Sequence, residues 1–398
     1  MRIARLVQYF QPRFGYAEYY LMTELAKQGH EVCIITSDHY SQSVKSFDKS
    51  IDVTTECGKF IENGLTVYRL PTVFENGQLI ASRNLKRSLK DFEPDVLHSN
   101  DLFYPSTLLA ICYKKLGYRL FVDSITGTFN PRGFTLLGFD LYRLLFKHYL
   151  KDNVDGFFAI SKGSKKWLKK NFGIPYDSIG LIPLGADDRL FFPSTIARES
   201  TRSALGLSDD EILIIYTGKL LPEKDIDVLI KSVAQLESKT FKLRLLLVGS
   251  GPLAYMRYLT RLVESRKIRK NVMFISTVAR TELPKYYNAA DIAVWPGSPS
   301  ISIIEAMSTG LPIIIASYPK PREDAYDTSH LIEYSNGLDF QRGHVSQLAS
   351  SIESLAVNED LRNEMRKKSR KLVEQKINWA TIATQYLKIY ENPPNSRV

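Results

Sequence analysis

The sequence predicts an α/β protein of two doubly wound domains, each a parallel sheet covered by helices. Three observations carry that reading. The chain, at 398 residues, is long for a single hydrophobic core. Short apolar runs alternate with amphipathic stretches, the pattern of parallel strands joined by crossover helices. The alternation stops at a polar stretch, residues 194–210, and then starts again.

In the first half the strand-like runs are "RIARLVQYF", "HEVCIITS", "LTVYRLP", "DVLHSN", "RLFVDSI", "GFFAIS" and "IGLIPLG". Between the first two, "AEYYLMTELAKQGH" predicts a helix in which Tyr20, Leu21, Leu25 and Gln28 share a face and which Gly29 ends. After the polar stretch, "EILIIYTGKL", "KLRLLLVGSG", "NVMFIST", "DIAVWPG" and "LPIIIAS" read as strands. The stretches between them read as helices, and in the first of these Ile226, Leu229, Val233 and Leu236 recur at helical spacing. The expected domains are 1–185 and 186–375. Ligands of doubly wound sheets lie outside the carboxyl ends of the strands, so the strand-exit loops are the places to search. With two such domains, the cleft between them is the expected site.

Composition narrows the function class. Hydrophobic content of 44% and charged content of 24% are those of an ordinary soluble protein. Cys33, Cys57 and Cys112 are odd in number and widely spaced, which argues for a reducing compartment and against a structural metal. The start lacks the layout of a signal peptide and no run approaches the roughly 18 apolar residues of a membrane span, so a cytoplasmic protein is expected. A net charge of +10 points to an anionic partner: nucleic acid, anionic lipid or a phosphorylated substrate. Without zinc-finger spacing, a basic heptad region or an aromatic RNA-binding signature, nucleic acid is not expected.

Three strand-exit loops carry chemistry. "YTGKLLPEKDID" holds Lys219 and Lys224, the latter expected at a helix start, where a cation is disfavoured unless an anion binds too. A phosphate would satisfy both lysines and the helix amides; two solvated lysines on a turn are the alternative. "GSPSISIIEAM" places Ser300, Ile301 and Ser302 where a helix begins, small enough for an anion to approach the backbone N–H groups. Glu305, one turn further, is within reach of a ribose whose phosphates rest on the helix tip; a Glu paired to an Arg is the alternative. In "YFQPRFGYAE", Gly15 allows a diphosphate or sugar close to the backbone. "VGSGP", residues 248–252, lacks the spacing of a dinucleotide fingerprint.

With "LIPLGADDRLFFP", "YTGKLLPEKDIDVLI", "LLLVGSGP", "FISTVARTELPKYYNAADIAVWP" and "IIEAMSTGLPII" in this order, the chain resembles the family 4 retaining glycosyltransferases of the GT-B fold along nearly its whole length. The resemblance implies two Rossmann-like domains facing a central cleft, with a last helix, in 376–398, crossing back to the first. It implies a nucleotide diphosphate sugar, UDP- or GDP-linked, as donor substrate, with no metal and no other cofactor. Lys219 and Lys224 match the family's diphosphate-binding pair, Glu305 its ribose-binding Glu, and Ser300, Ile301 and Ser302 its phosphate-binding loop. Two departures stand out. Gly297 occupies the place of a Glu that reaches the donor sugar. The first-domain His near the reacting carbon has no counterpart; Thr126 is the best match and Asn130 the next, while His98, expected at another strand exit, is either a polar group of the cleft or structural.

As the bond from anomeric carbon to phosphate breaks, charge gathers on the leaving diphosphate, where Lys219, Lys224 and the helix tip are aimed. The resemblance implies retention, with the leaving phosphate helping to deprotonate the acceptor. A non-catalytic nucleotide-sugar-binding subunit of the same fold is the alternative, kept open by Gly297 and the absent His. A nucleotide-sugar epimerase would need carboxylate and His bases that the sequence does not supply. Finally, residues 132–152 mix Phe134, Leu137, Leu141, Leu144 and Leu145 with Arg143, Lys147 and Lys151, and Lys162, Lys165, Lys166, Lys169 and Lys170 surround Trp167. Basic charge with an aromatic anchor is what an interfacial helix uses on anionic lipid, so peripheral membrane contact and a glycan or lipid-linked acceptor are expected; a solvated face over an ordinary core helix is the alternative.

Overall fold

Every strand-like run picked out above forms a strand. The computed structural model describes residues 1–11, 16–41, 52–76, 79–125, 134–237, 241–318 and 327–392, so Gly15, Thr126 and Asn130 lie outside the described residues. The chain divides into two units, Met1–Pro183 with Trp379–Val398, and Leu184–Asn378.

In the first unit the strands are β1 (Arg2–Leu6), β2 (Glu31–Ser37), β3 (Gly58–Glu62), β4 (Leu65–Leu70), β5 (Thr72–Asn76), β6 (Leu79–Ser82), β7 (Val96–Asn100), β8 (Arg119–Ser124), β9 (Gly156–Ala159) and β10 (Ile179–Leu181). Eight of them make one sheet in the order β10-β9-β8-β7-β1-β2-β4-β3, while β5 and β6 form a separate hairpin. The sheet is not parallel throughout as expected: β3 runs antiparallel to β4. Asn63 and Gly64 between them both have positive φ, the two-residue turn whose twist matches that of the strands it joins. The helices are α1 (Ala17–Lys27), α2 (Leu85–Phe92), α3 (Pro105–Cys112), α4 (Phe134–Asn153) and α5 (Lys162–Phe172). In α1, Leu21, Met22 and Leu25 are buried and Gln28 is an exposed cap, so Met22 takes the place expected for Gln28. Gly29 follows at φ +86°, ending the helix as expected.

The second unit holds α6 (Thr195–Ala204), β11 (Glu211–Thr217), α7 (Ile226–Gln235), β12 (Lys242–Val248), α8 (Leu253–Ser265), β13 (Val272–Ile275), α9 (Leu283–Ala289), β14 (Ile292–Trp295), α10 (Ser302–Ser308), β15 (Ile313–Ser317), β16 (Gly337–Gln341), α11 (Val345–Val357) and α12 (Glu359–Leu372). Its sheet order is β13-β12-β11-β14-β15-β16, with every pair parallel. The chain winds outward from β11 to β13 and then restarts on the other side at β14. The β11 and β14 exits are therefore neighbours at the point where strand order reverses, the place where open α/β sheets bind ligands. Ile226, Leu229, Val233 and Leu236 are all buried in the core between helix and sheet.

The last helix, α13 (Trp379–Glu391), belongs to the first unit. Its Trp379 ring stacks on Tyr20 of α1 at 5.7 Å between centroids. Tyr386 and Tyr390, one turn apart, pack against His98 of β7.

Candidate functional site

The β11 and β14 exits of the second unit are tied together by hydrogen bonds. The carbonyl of Thr217, at the end of β11, accepts from the Trp295 indole N–H (3.2 Å) and from Ser302 Oγ (3.0 Å). Ser302 Oγ also accepts from the indole (3.1 Å) and lies 2.9 Å from Ser300 Oγ. The hydroxyl of Ser302 is thus committed to positioning α10. At the start of α10, Ser300 meets two amides: its Oγ accepts from the Ser302 N–H at 3.4 Å and its carbonyl from the Ile303 N–H at 3.2 Å.

Lys224 stands at a helix start, where the sequence puts it: it ends a short 3-10 turn, Pro222–Lys224, and Asp225 at φ +52° is the N-cap of α7. Its ammonium donates to the carbonyls of Ser298 (2.9 Å) and Pro299 (3.0 Å), while the Ser298 N–H donates back to the Glu223 carbonyl at 3.0 Å. Burial, with the charge of Lys219 nearby, lowers the Lys224 pKa to about 8 against the opposing pull of Glu223. Lys219 itself is exposed in the same loop.

This closure explains Gly297. A Cβ built there would stand 2.4 Å from the Lys224 carbonyl carbon and 2.5 Å from the Glu223 oxygen, which no side chain tolerates. The carboxylate that the family carries at this position cannot be accommodated by this backbone. A second close approach lies alongside: a Cβ on Gly249 would meet the Gly218 oxygen at 1.9 Å. The glycines of "VGSGP" serve to pack two strand-exit loops backbone to backbone.

Glu305 occupies the fourth position of α10 and is buried. Its Oε1 accepts from Arg280 Nε at 2.9 Å, so the Arg pairing considered as an alternative is present. Sequence reasoning did not find Arg280; the only signal was a basic residue in the loop leaving β13. The guanidinium lies 4.8 Å over the Phe191 ring and 3.7 Å from Asp187. Burial pushes the Glu305 carboxyl above its usual range, with Arg280 pulling the other way. Lys224, Lys219, Ser300 and Glu305 thus converge on one pair of neighbouring strand exits.

His98 belongs elsewhere. It lies inside β7, not at a strand exit, and is fully buried. Its Nδ1 is 2.5 Å from the Tyr390 hydroxyl and its Nε2 3.3 Å from Asp123, which in turn pairs with Arg5 at 2.7 Å. Burial and the Arg5 charge lower its pKa to about 4, so the ring is neutral at pH 7. The geometry gives it the structural of its two expected roles. Among the described residues no group of three or more His, Cys, Asp or Glu side chains is arranged to hold a metal.

The basic region also rearranges. Trp167 is buried, its ring among those of Phe103, Phe139 and Phe172, so it is a core residue and not a surface anchor. What stands exposed is a stripe along α4: Leu137 (66%), Leu141 (56%), Leu144 (78%) and Leu145 (62%), at helical spacing, with Lys151 continuing it. No helix among the described residues is long and apolar enough to cross a membrane.

With the fold and this pair of strand exits described, the chain can be set beside known proteins. Residues 19–190 match the model of glycosyltransferase family 4, and residues 197–372 that of the group 1 glycosyl transferases. The chain belongs to these glycosyltransferases and has their GT-B fold of two Rossmann-like units. An uncharacterized glycosyltransferase of Methanocaldococcus jannaschii is 25% identical over 98% of both chains. A GDP-mannose-dependent monoacylated α-(1-6)-phosphatidylinositol monomannoside mannosyltransferase of Corynebacterium glutamicum is 24% identical over 97% of this chain and 96% of its own. Among solved structures, Anabaena HepE in complex with UDP superposes with a TM-score of 0.75 at 18% identity, covering 98% of this chain and all of that one.

Proposed function

We propose that this glycosyltransferase moves a sugar, with retention, from a nucleotide diphosphate sugar to a glycan or lipid-linked acceptor on the cytoplasmic face of an anionic membrane. The observation that carries the reading is the convergence of Lys219, Lys224 and Glu305 on two neighbouring strand exits at the sheet's reversal point. The two lysines would face the charge that gathers on a leaving diphosphate, and the half-buried Lys224 ammonium is worth more there than a cation in open water. Glu305 is the acceptor for ribose hydroxyls. The donor's diphosphate displaces the Ser298 and Pro299 carbonyls from the Lys224 ammonium, exchanging neutral partners for an anionic one. The lysines take the part of a divalent ion, and the leaving phosphate accepts the acceptor's proton.

UDP is the first nucleotide to test, since HepE was solved with it, and GDP the second, since the corynebacterial relative is named for GDP-mannose. In thermal melts against UDP, GDP, ADP and their sugars, one nucleotide at a hundredfold excess over its dissociation constant should stabilise the protein by about 2.7 kcal/mol. Lys224→Ala should lose that stabilisation. No shift with any nucleotide would end the reading. Release of free nucleotide on turnover then separates an enzyme from the non-catalytic alternative, which Gly297 favours because this backbone has no room for the sugar-binding Glu.

Membrane contact rests on the leucine stripe of α4, with Lys147 and Lys151 on the same helix and Lys169 and Lys170 exposed on α5. Apolar residues of this size standing together in water mark an interaction face, and flanking cations select an anionic one. The protein should co-sediment with vesicles containing phosphatidylglycerol at low salt and not with phosphatidylcholine alone. Leu144→Gln together with Leu145→Gln should release it without lowering its melting temperature. Equal sedimentation of variant and parent would place the contact elsewhere.

A further inference from the structure

Arg280 is a candidate for a role of its own. It sits at the start of the 3-10 turn Arg280–Glu282, on the loop that leaves β13, and reaches across to α10. Its Nε donates to Glu305 Oε1 at 2.9 Å, its Nη1 lies 3.7 Å from Asp187 Oδ2, and its guanidinium plane rests on Phe191. A buried carboxylate accepts two hydroxyls well only while ionised; protonated, it becomes a weaker neutral partner. Burial works against ionisation of Glu305, and so does the Asp187 charge, while Arg280 works for it with help from the buried Tyr287 hydroxyl. The planar side chain also helps to fix direction, because the Phe191 ring under the guanidinium and Asp187 at its Nη1 hold it beside Glu305.

We infer that Arg280 is a positioning residue for the donor, pairing with the Glu305 carboxylate and aiming it so that it grips the ribose diol. This rests on the donor-binding reading above. It assigns Arg280 no contact with phosphate or sugar, and it makes ribose recognition depend on pH through a residue on another loop.

The test is isothermal titration of wild type, Arg280→Gln and Arg280→Lys with the nucleoside diphosphate that stabilises wild type and with its 2′,3′-dideoxy analogue, at pH 6 and pH 8. Circular dichroism melts establish that each variant is folded. Wild type should prefer the ribonucleotide at both pH values. In Arg280→Gln, loss of the counter-charge raises the Glu305 pKa, so the ribonucleotide should bind more weakly at pH 6 than at pH 8. The difference should be about tenfold for each pH unit by which that pKa overtakes the medium. The dideoxy analogue should bind the variant as it binds wild type. Arg280→Lys, which keeps the charge, should recover most of the ribose preference at pH 6. Equal losses for both nucleotides at both pH values, or a variant indistinguishable from wild type, would overturn the assignment while leaving the donor site standing. Failure of wild type to bind any nucleoside diphosphate would bring down the donor site and this role with it.

Discussion

The two units each bury a charged cluster, and the clusters are built for different ends. In the first unit Arg5 pairs with Asp123 and His98 meets Asp123 and Tyr390 in the middle of the sheet, with the rings of Phe158 and Tyr386 packed on His98. In the second, Lys224 lies in the loop after β11 and Glu305 in the first turn of the helix after β14, and each has few polar partners: two loop carbonyls in one case, Arg280 and the Tyr287 hydroxyl in the other. A charge inside a strand is surrounded by fixed neighbours on every side and serves stability. A charge at a strand exit faces a loop that can give it up to a ligand.

The sharpest way to break this contrast is to remove one member of each cluster. Asp123→Ala takes from the buried Arg5 guanidinium its ion-pair partner and leaves only the Glu18 charge nearby, which should cost roughly 3–5 kcal/mol and lower the melting temperature, with nucleotide affinity in the other unit unchanged. Glu305→Gln should do the reverse. Losing a hydrogen-bond acceptor that is charged costs about 1.5–3 kcal/mol, or some ten- to a hundredfold in nucleotide affinity, with a smaller effect on the melt. If Asp123→Ala weakens nucleotide binding as much as Glu305→Gln, the division of labour is wrong.

The smallest expected effect is one of pH. Since the folded pKa of Lys224 is lowered to about 8 from 10.5, the folded protein sheds this proton before the unfolded chain does. Folding therefore carries the desolvation cost in full below pH 8, and the cost is relieved as pH rises from 8 towards 10.5. Diphosphate binding runs the opposite way, because it needs the ammonium: affinity should fall above pH 8, by at most about tenfold per unit. Lys224→Arg, always charged, should flatten that decline when affinity is followed by titration from pH 7 to 9.5.

The strands were legible because buried parallel strands are continuous apolar runs, which need no partner to be recognised. The edge strand β3 escaped although Asn63-Gly64 announces its turn, because "GKFIE" is short, holds only two apolar side chains and buries little. The lysines and Glu305 were legible as residue types that sit uneasily on a strand exit or in an apolar helix. Their partners were not. The carbonyls of Ser298 and Pro299 carry no residue signature, Arg280 lies 25 residues from Glu305, and nothing local joins the two. Trp167 misled because an aromatic among five lysines suggests a surface anchor, while its ring points inward and its α-helical neighbours carry the charge outward. His98 was read at a strand exit because strand length cannot be fixed within a residue or two from sequence.

The route of the chain has a further consequence. The first unit is interrupted after Pro183 and completed only by Trp379 and the residues that follow it. Tyr20 and His98 leave the ribosome well before the rings that cover them, Trp379, Tyr386 and Tyr390. The second unit, contiguous from Leu184 to Asn378, has all its strands in hand before then. The part of the first unit made before the second is thus completed only after it, and a nascent chain stalled between residues 184 and 378 carries Arg5, Asp123 and His98 without the α13 rings that cover them.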